Sequence, residues 1–255
     1  MSQGQAIGRR ARQLVRLWRT EGPSGIGDRV RVRLARLLVP PGSGRLPIGT
    51  AEFEAAAALT ESGWQLPRPL PWVSGQPLKV GWVSTPPAPG SGGHTTMFRL
   101  VNALMSAGHE CTVYLTDRHG WEMEQHRERI QIGWPDMRAD VLDFDDGVED
   151  CHALFATGWD SAWAILRSKA EGLRCYLVQD FEPAFYPAGS EYLLAEATYR
   201  FGFQGITAGT WLPGLLRDRY GMDAWGFAFG CDLASYRLLG GGEPRTGVCY
   251  YCRPS

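Results

Sequence analysis

No window of the 255-residue sequence approaches the ~18 uninterrupted apolar residues that a membrane-spanning helix requires, and the early arginines come without the apolar core of a secretory signal. Neither membrane insertion nor secretion is expected. Cysteine pairing is also missing: Cys111, Cys151, Cys175, Cys231, Cys249 and Cys252 are scattered, and four lie in or beside apolar runs where a reduced thiol acts as a small hydrophobe. Cys249-Tyr-Tyr-Cys252 has C-x-x-C spacing without a second pair or a nearby histidine, so no zinc is expected. His109, His119, His126 and His152 show no ligand spacing either. What is present, 44% hydrophobic and 21% charged residues, excludes disorder throughout and allows one large domain with appendages. The expected setting is a reducing cytoplasm.

The net charge of −1 hides a partition, because residues 1–45 carry ten arginines against Glu21 and Asp28. Ile7, Ala11, Leu14, Val15 and Trp18 recur at helical spacing, with Arg9, Arg12, Arg16 and Arg19 opposite. A second segment, Ile26 to Leu38, repeats the composition. Two readings stand for this helical arm. It lies on an anionic membrane surface, at the inner face of the cell membrane, where each arginine contributes ~1 kcal/mol; or it is a solvated pair packed on the domain. A nucleic-acid partner is not expected, since nothing downstream interleaves aromatic with basic residues.

Residues 46–78 read as a helix (Ala51 to Glu61) and a Pro-rich linker. From Lys79 the pattern alternates. Strands are expected at Val80–Ser84, Cys111–Thr116, Val141–Phe144, Ala153–Thr157, Cys175–Gln179, Gly205–Ala208 and Gly226–Phe229. Helices are expected at Gly93–Ala107, Glu122–Ile130, Ser161–Lys169, Glu191–Phe201 and Leu212–Tyr220. Short apolar runs separated by helices are βαβ units, so residues 79–240 should form an α/β, Rossmann-like, mostly parallel sheet. Residues 241–255 read as a Gly-rich linker and a strand at Val248–Tyr251, the start of a further domain.

Between the first strand and its helix lies the loop Thr85-Pro-Pro-Ala-Pro-Gly-Ser-Gly-Gly-His94. Gly92 and Gly93 let backbone approach a ligand, and free N–H groups at a helix start favour anions, which suggests a phosphate-binding place. Two enzyme classes use such a unit. An NAD-dependent oxidoreductase would need a tight G-x-G-x-x-G turn and an acid ending the second strand; Gly90, Gly92 and Asp117 imitate this, but Thr95 stands at the third glycine's position and five residues separate strand from glycines. A two-domain glycosyltransferase uses a longer Gly-Gly loop in its acceptor half, which suits these residues better. A non-catalytic sugar-binding domain is the third reading.

Candidate catalytic residues are His94, at the first turn of that helix, and Asp180 and Glu182, which follow a buried-looking strand where α/β ligands collect. Phe181 and Tyr186 either stack on a sugar ring or pack, and Thr207 and Trp211 end a later strand beside the same cleft. Asp143-Phe-Asp145-Asp146 imitates a D-x-D metal site, but it stands among seven acids between Asp136 and Asp150 and reads as a solvated acidic loop.

The runs Ser91-Gly-Gly-His-Thr-Thr-Met-Phe-Arg-Leu100, Gly108-His-Glu-Cys-Thr-Val-Tyr-Leu115 and above all Val178-Gln-Asp-Phe-Glu-Pro-Ala-Phe-Tyr-Pro187, followed by Gly189-Ser-Glu-Tyr192 and Ala197-Thr-Tyr199, resemble the rhamnosyltransferases of the WsaF type. The resemblance implies the N-terminal, acceptor half of a retaining GT-B enzyme that moves L-rhamnose from dTDP-L-rhamnose to a bacterial surface polysaccharide. Its partners would be a nucleotide sugar and a glycan acceptor, with no metal and no cofactor. It implies Gly92, Gly93 and His94 facing the donor diphosphate and Asp180 and Glu182 facing the acceptor. Family members continue into a donor-binding domain, so this chain by itself is expected to be catalytically silent.

Overall fold

Alternation of side chains along seven short strands builds the domain. In the computed structural model, which describes residues 46–117 and 120–228 and scattered positions from 230 to 250, these are β1 (Lys79–Ser84), β2 (Glu110–Leu115), β3 (Asp140–Asp143), β4 (Ala153–Ala156), β5 (Leu173–Val178), β6 (Gln204–Ala208) and β7 (Ala224–Phe227). All pair in parallel in the order β3-β2-β1-β4-β5-β6-β7. The order reverses between β1 and β4. In an open parallel sheet that reversal leaves a crevice at the carboxyl ends of the two strands, because their connections leave toward opposite faces. The expected α/β, Rossmann-like class therefore holds. The 1–45 arm, His119, the Cys249–Cys252 pair and half of the expected Val248–Tyr251 strand lie outside the described residues.

Each face of the sheet carries its own core. Val80, Trp82, Val113, Leu115, Val141 and Leu177 face α2 (Gly92–Ser106) and α3 (Met123–Gly133) through Met97, Phe98, Val101 and Ile130. Val83, Leu154, Ala156, Tyr176 and Val178 face α4 (Trp159–Ile165), α5 (Ser190–Thr198) and α6 (Trp211–Tyr220) through Ala162, Ile165, Ala195, Leu212 and Leu216. Gly81 lies on the second face, where a Cβ would come within 2.6 Å of Leu154 Cδ1, so β1 admits no larger residue without a shift. Across the first face Trp82 stacks on Phe155 at 4.4 Å. Such a pair contributes ~0.5–1.5 kcal/mol beyond the area it buries.

Residues 46–78, read above as a helix and linker, pack onto this domain. Ile48 is buried, Phe53 of α1 (Thr50–Glu61) meets Trp163 at 5.4 Å, and Trp64 meets Phe201 while donating its indole N–H to the Phe201 carbonyl. Arg167 ties Glu52 of α1 (3.0 Å) to Asp145 (2.7 Å). Asp145 of the imitation D-x-D motif is thus committed to an ion pair, and Asp143 caps the short 3-10 turn Phe144–Asp146. His109 and His152 each accept a backbone N–H, from Leu78 and Lys79, and so fix the entry into β1.

Local chemistry explains where helices stop. At the end of α2, Gly108 has φ +90°, and the N–H groups of Gly108 and His109 bond the carbonyls of Met105 and Leu104, the paired pattern that closes a helix on a left-handed glycine. The fourth helix runs over Trp159–Ile165 and not over the expected Ser161–Lys169. Ser161 is of a type that usually begins helices, yet its Oγ reaches back from inside the first turn to the N–H groups of Thr157 and Gly158. Beyond Ile165 the chain wraps around the buried Arg174 guanidinium, which donates to the carbonyls of Ser168, Ala170 and Gly172. Burial still pulls its pKa down to about 10.

Candidate active-site cleft

At the switch point between β1 and β4 lies a cleft of about 120 Å³ lined by Ser84, Thr85, Ser91, Gly93, His94, Met97, Thr157, Gly158, Asp160 and Gln179. Three connections meet there, those that leave β1, β4 and β5. The space holds one sugar edge or a few waters, well short of the ~300–1,000 Å³ that encloses a whole drug-sized ligand. Among the described residues no lysine or arginine lines it. Its polarity comes from hydroxyls, an amide, an imidazole and the Asp160 carboxylate, a set suited to an uncharged polyol.

On one wall, Ser91 caps α2: its Oγ accepts the His94 backbone N–H at 3.4 Å and lies 2.7 Å from His94 Nδ1. The Thr85 carbonyl, 3.2 Å from Nε2, can only accept, so Nε2 carries the hydrogen and Nδ1 accepts from Ser91. Burial lowers the His94 pKa more than the Thr85 carbonyl and nearby Asp160 raise it, which keeps the ring neutral. Both ring nitrogens are thereby engaged within the protein, and His94 presents its ring and not a free donor to the cleft. Gly93 also faces the cleft, and its carbonyl accepts Gln179 Nε2 at 3.2 Å.

On the other wall Thr157 Oγ1 donates to the Val83 carbonyl across β1 and β4, and Asp160 stands in the first turn of α4. Glu182 lies beneath this wall. It is buried, its Oε2 accepts the Trp159 backbone N–H at 2.7 Å, and its own N–H donates to Tyr199 Oη. Burial pushes its pKa up to about 8, against the lowering effect of the Trp159 N–H. Asp180 is exposed and turns back to accept the Phe181 N–H.

The remaining sequence candidates fall in other places. Phe181 stacks between Tyr199 (5.9 Å) and Tyr220 (6.3 Å), so of its two readings the structure fills the packing one. Tyr186 Oη accepts the Trp159 indole N–H at 2.9 Å. Thr207 is fully buried, whereas Trp211 is 62% exposed at the start of α6. Gly92 is exposed beside the cleft. Of the residues singled out from sequence, the structure brings Gly93 and His94 to the cleft, with Glu182 directly behind it. Sequence reasoning missed Ser91, Thr157, Asp160 and Gln179. The available signal was positional: all four stand at carboxyl ends of strands or first turns of helices next to the strand-order reversal.

Asp117 occupies the place where a dinucleotide-binding fold keeps its ribose-binding acid. Here it is buried, its Oδ2 accepts the Trp121 N–H at 2.6 Å, and it lies 3.4 Å from His126 Nε2. The carboxylate is therefore spent inside the protein. Among the described residues no helix is long and apolar enough to cross a membrane.

Comparison with known proteins reaches the second half of the sheet. Residues 148–208, which run through β4, α4, β5, α5 and β6, match the family model described as WsaF, N-terminal domain. Over 56 residues the chain is 50% identical to the O-antigen biosynthesis protein RfbC of Myxococcus xanthus, a stretch of 22% of this chain and 4% of that protein. The match spans only a small fraction of that relative's length.

Proposed function

We propose that this chain is the acceptor-side domain of a glycosyltransferase of bacterial surface-polysaccharide assembly, and that the cleft between β1 and β4 receives the hydroxyl-bearing end of the growing glycan. The observation that carries this reading is the composition of the cleft. Neutral hydrogen-bonding groups and one carboxylate, without a cation among the described residues, meet at the point where parallel α/β sheets bind ligands. The match of residues 148–208 to the WsaF N-terminal domain and the identity to an O-antigen biosynthesis protein support it.

In this reading the donor is a nucleotide diphosphate sugar, dTDP-L-rhamnose by the family resemblance. The reaction breaks the bond from the anomeric carbon to the diphosphate and forms one to an acceptor hydroxyl, whose proton leaves with the released nucleoside diphosphate. Asp160 and Gln179 hold that hydroxyl, and the diphosphate approaches on the α2 side, where Gly92 and Gly93 begin a helix capped by a neutral serine. Approach on the α4 side would set it against Asp160. The buried Asp117 and the Pro-rich path from β1 to α2 weigh against a nicotinamide cofactor.

The test is a titration of the chain, followed by backbone amide NMR, with methyl α-L-rhamnopyranoside, dTDP-L-rhamnose and NAD. Shifts at Gly93, Thr157, Asp160 and Gln179 on adding the rhamnoside are expected, with none from NAD. Saturable NAD binding with both sugars silent would reverse the assignment, whereas rhamnoside shifts fit an acceptor-side domain whether or not the nucleotide sugar binds.

A further inference from the structure

Three hydrogen bonds leave one eight-residue segment and end on the two walls of the cleft. Gln179 Nε2 donates to the Gly93 carbonyl at the start of α2. Glu182 Oε2 accepts the Trp159 N–H at the start of α4, and Tyr186 Oη accepts the indole N–H of the same tryptophan. Glu182 is buried and does not line the cleft, whereas its neighbour Gly158 does: a Cβ there would lie 3.0 Å from Asp160 Oδ1 and 4.0 Å from Glu182 Oε2. A carboxyl placed so touches the wall and not what the cleft contains.

We propose that residues 179–186 form a clamp that sets the spacing of the two cleft walls, and that Glu182 and Tyr186 are positioning residues acting on the acceptor through Trp159 and Asp160. The proposal rests on the reading of the cleft as an acceptor site. It replaces direct contact between Glu182 and the acceptor with an effect transmitted through one buried tryptophan.

The clamp has two charge states. The groups that face Glu182 are Asp160 on α4, Asp180 on the segment itself, Tyr176 on β5 and Tyr199 after α5. The Tyr176 hydroxyl is fully buried beside the carboxyl and Thr198 without closing a hydrogen bond of full geometry to either. Among the described residues no cation faces the carboxyl. A neutral carboxylic acid keeps the Trp159 bond and adds no charge next to Asp160; the ionised form repels Asp160, which lines the cleft, and the wall shifts with it. Burial places this change within reach of ordinary buffers, near pH 8.

The experiment uses the full chain, its Glu182→Gln variant and methyl α-L-rhamnopyranoside as the acceptor probe. In the wild type the Trp159 backbone and indole N–H signals should titrate together with a midpoint near the Glu182 pKa, with concerted shifts at Gly93 and His94. Rhamnoside affinity should fall about five- to tenfold from below to above that midpoint, at the lower end of usual site-to-site coupling. Glu182→Gln should abolish both titrations while leaving a dispersed spectrum and the low-pH affinity, and Tyr186→Phe should displace the indole signal alone. An unchanged Trp159 titration in Glu182→Gln, or a wild-type titration with flat rhamnoside affinity, would overturn the clamp. If the rhamnoside binds no form at any pH, the acceptor reading fails, and the concerted or absent response of Gly93 and His94 still decides whether Glu182 moves the cleft wall.

Discussion

The two helices that begin on either side of the cleft are capped in opposite ways. The start of α2 is built from its own neighbours: Ser91 caps His94, Thr95 Oγ1 donates to the Ser91 carbonyl, Thr96 Oγ1 to the Gly92 carbonyl, and the His94 ring is held neutral. At α4 a buried carboxyl from 23 residues downstream satisfies the first N–H, and Trp159 is 4% exposed. One end stays half open with no charge of its own, and the other is closed and acidic. The cleft therefore has one uncharged wall and one acidic wall, and among the described residues no cation lines either.

Trp159→Ala should break the comparison most severely. It removes a buried indole that bonds Tyr186, a loss of about 3–5 kcal/mol for such a truncation, and denaturant unfolding will show it as a lowered midpoint. A cost under about 1 kcal/mol would mean that α4 is anchored elsewhere.

Next in size is Glu182. Glu182→Ala leaves the Trp159 N–H buried without its acceptor, at about 1–3 kcal/mol. The pH dependence has a definite sign. The folded protein holds the Glu182 proton up to about pH 8 while the unfolded chain releases it near 4.5, so stability should fall as pH rises between those values and level off above them. Thermal melts of Glu182→Gln should lack that decline; if its slope equals that of the wild type, the carboxyl is not the group responsible.

The α2 end should respond less and with the reverse pH sense. Ser91→Ala deletes a neutral cap, worth about 0.5–2 kcal/mol, and frees the His94 ring. Since folding lowers the His94 pKa, its contribution is present above the unfolded value of 6.5 and is lost as pH falls below it. Substituting His94 by Gln should flatten stability on the acid side only, and a change on the alkaline side would show that the two caps are not independent.

Smallest in stability are Gly93→Ala and Asp180→Asn. A Cβ added at Gly93 would stand 3.4 Å from Gln179 Nε2, so unfolding should change by less than about 0.5 kcal/mol, as surface changes usually do, while rhamnoside binding weakens. Exposed Asp180 should alter neither. A binding loss from Asp180→Asn as large as that from Gly93→Ala would bring the carboxylate back into the site.

Much of the fold was legible because its determinants are local. Strand boundaries fall within a residue or two of expectation for β1 through β6, since alternation and flanking turn residues are properties of a few adjacent positions. The turn at Gly108 was readable for the same reason. The last strand begins two residues earlier than expected, at Ala224, because its span is set by pairing with β6, from Gly205 opposite Ala224 to Ala208 opposite Phe227.

By itself the sequence determined the parallel α/β class, the order of its elements and the glycine-rich start of α2, because hydrophobic period and glycine placement act within one turn or one strand. Only the tertiary structure decided what the Gln179–Tyr186 segment touches. Its spacing places Asp180 and Glu182 alike after a strand, yet one lies in solvent and the other is buried under α4. Which of two carboxylates enters the interior depends on elements roughly 20 to 90 residues away, on Trp159, Tyr199 and Gly93, and no local pattern encodes where those meet.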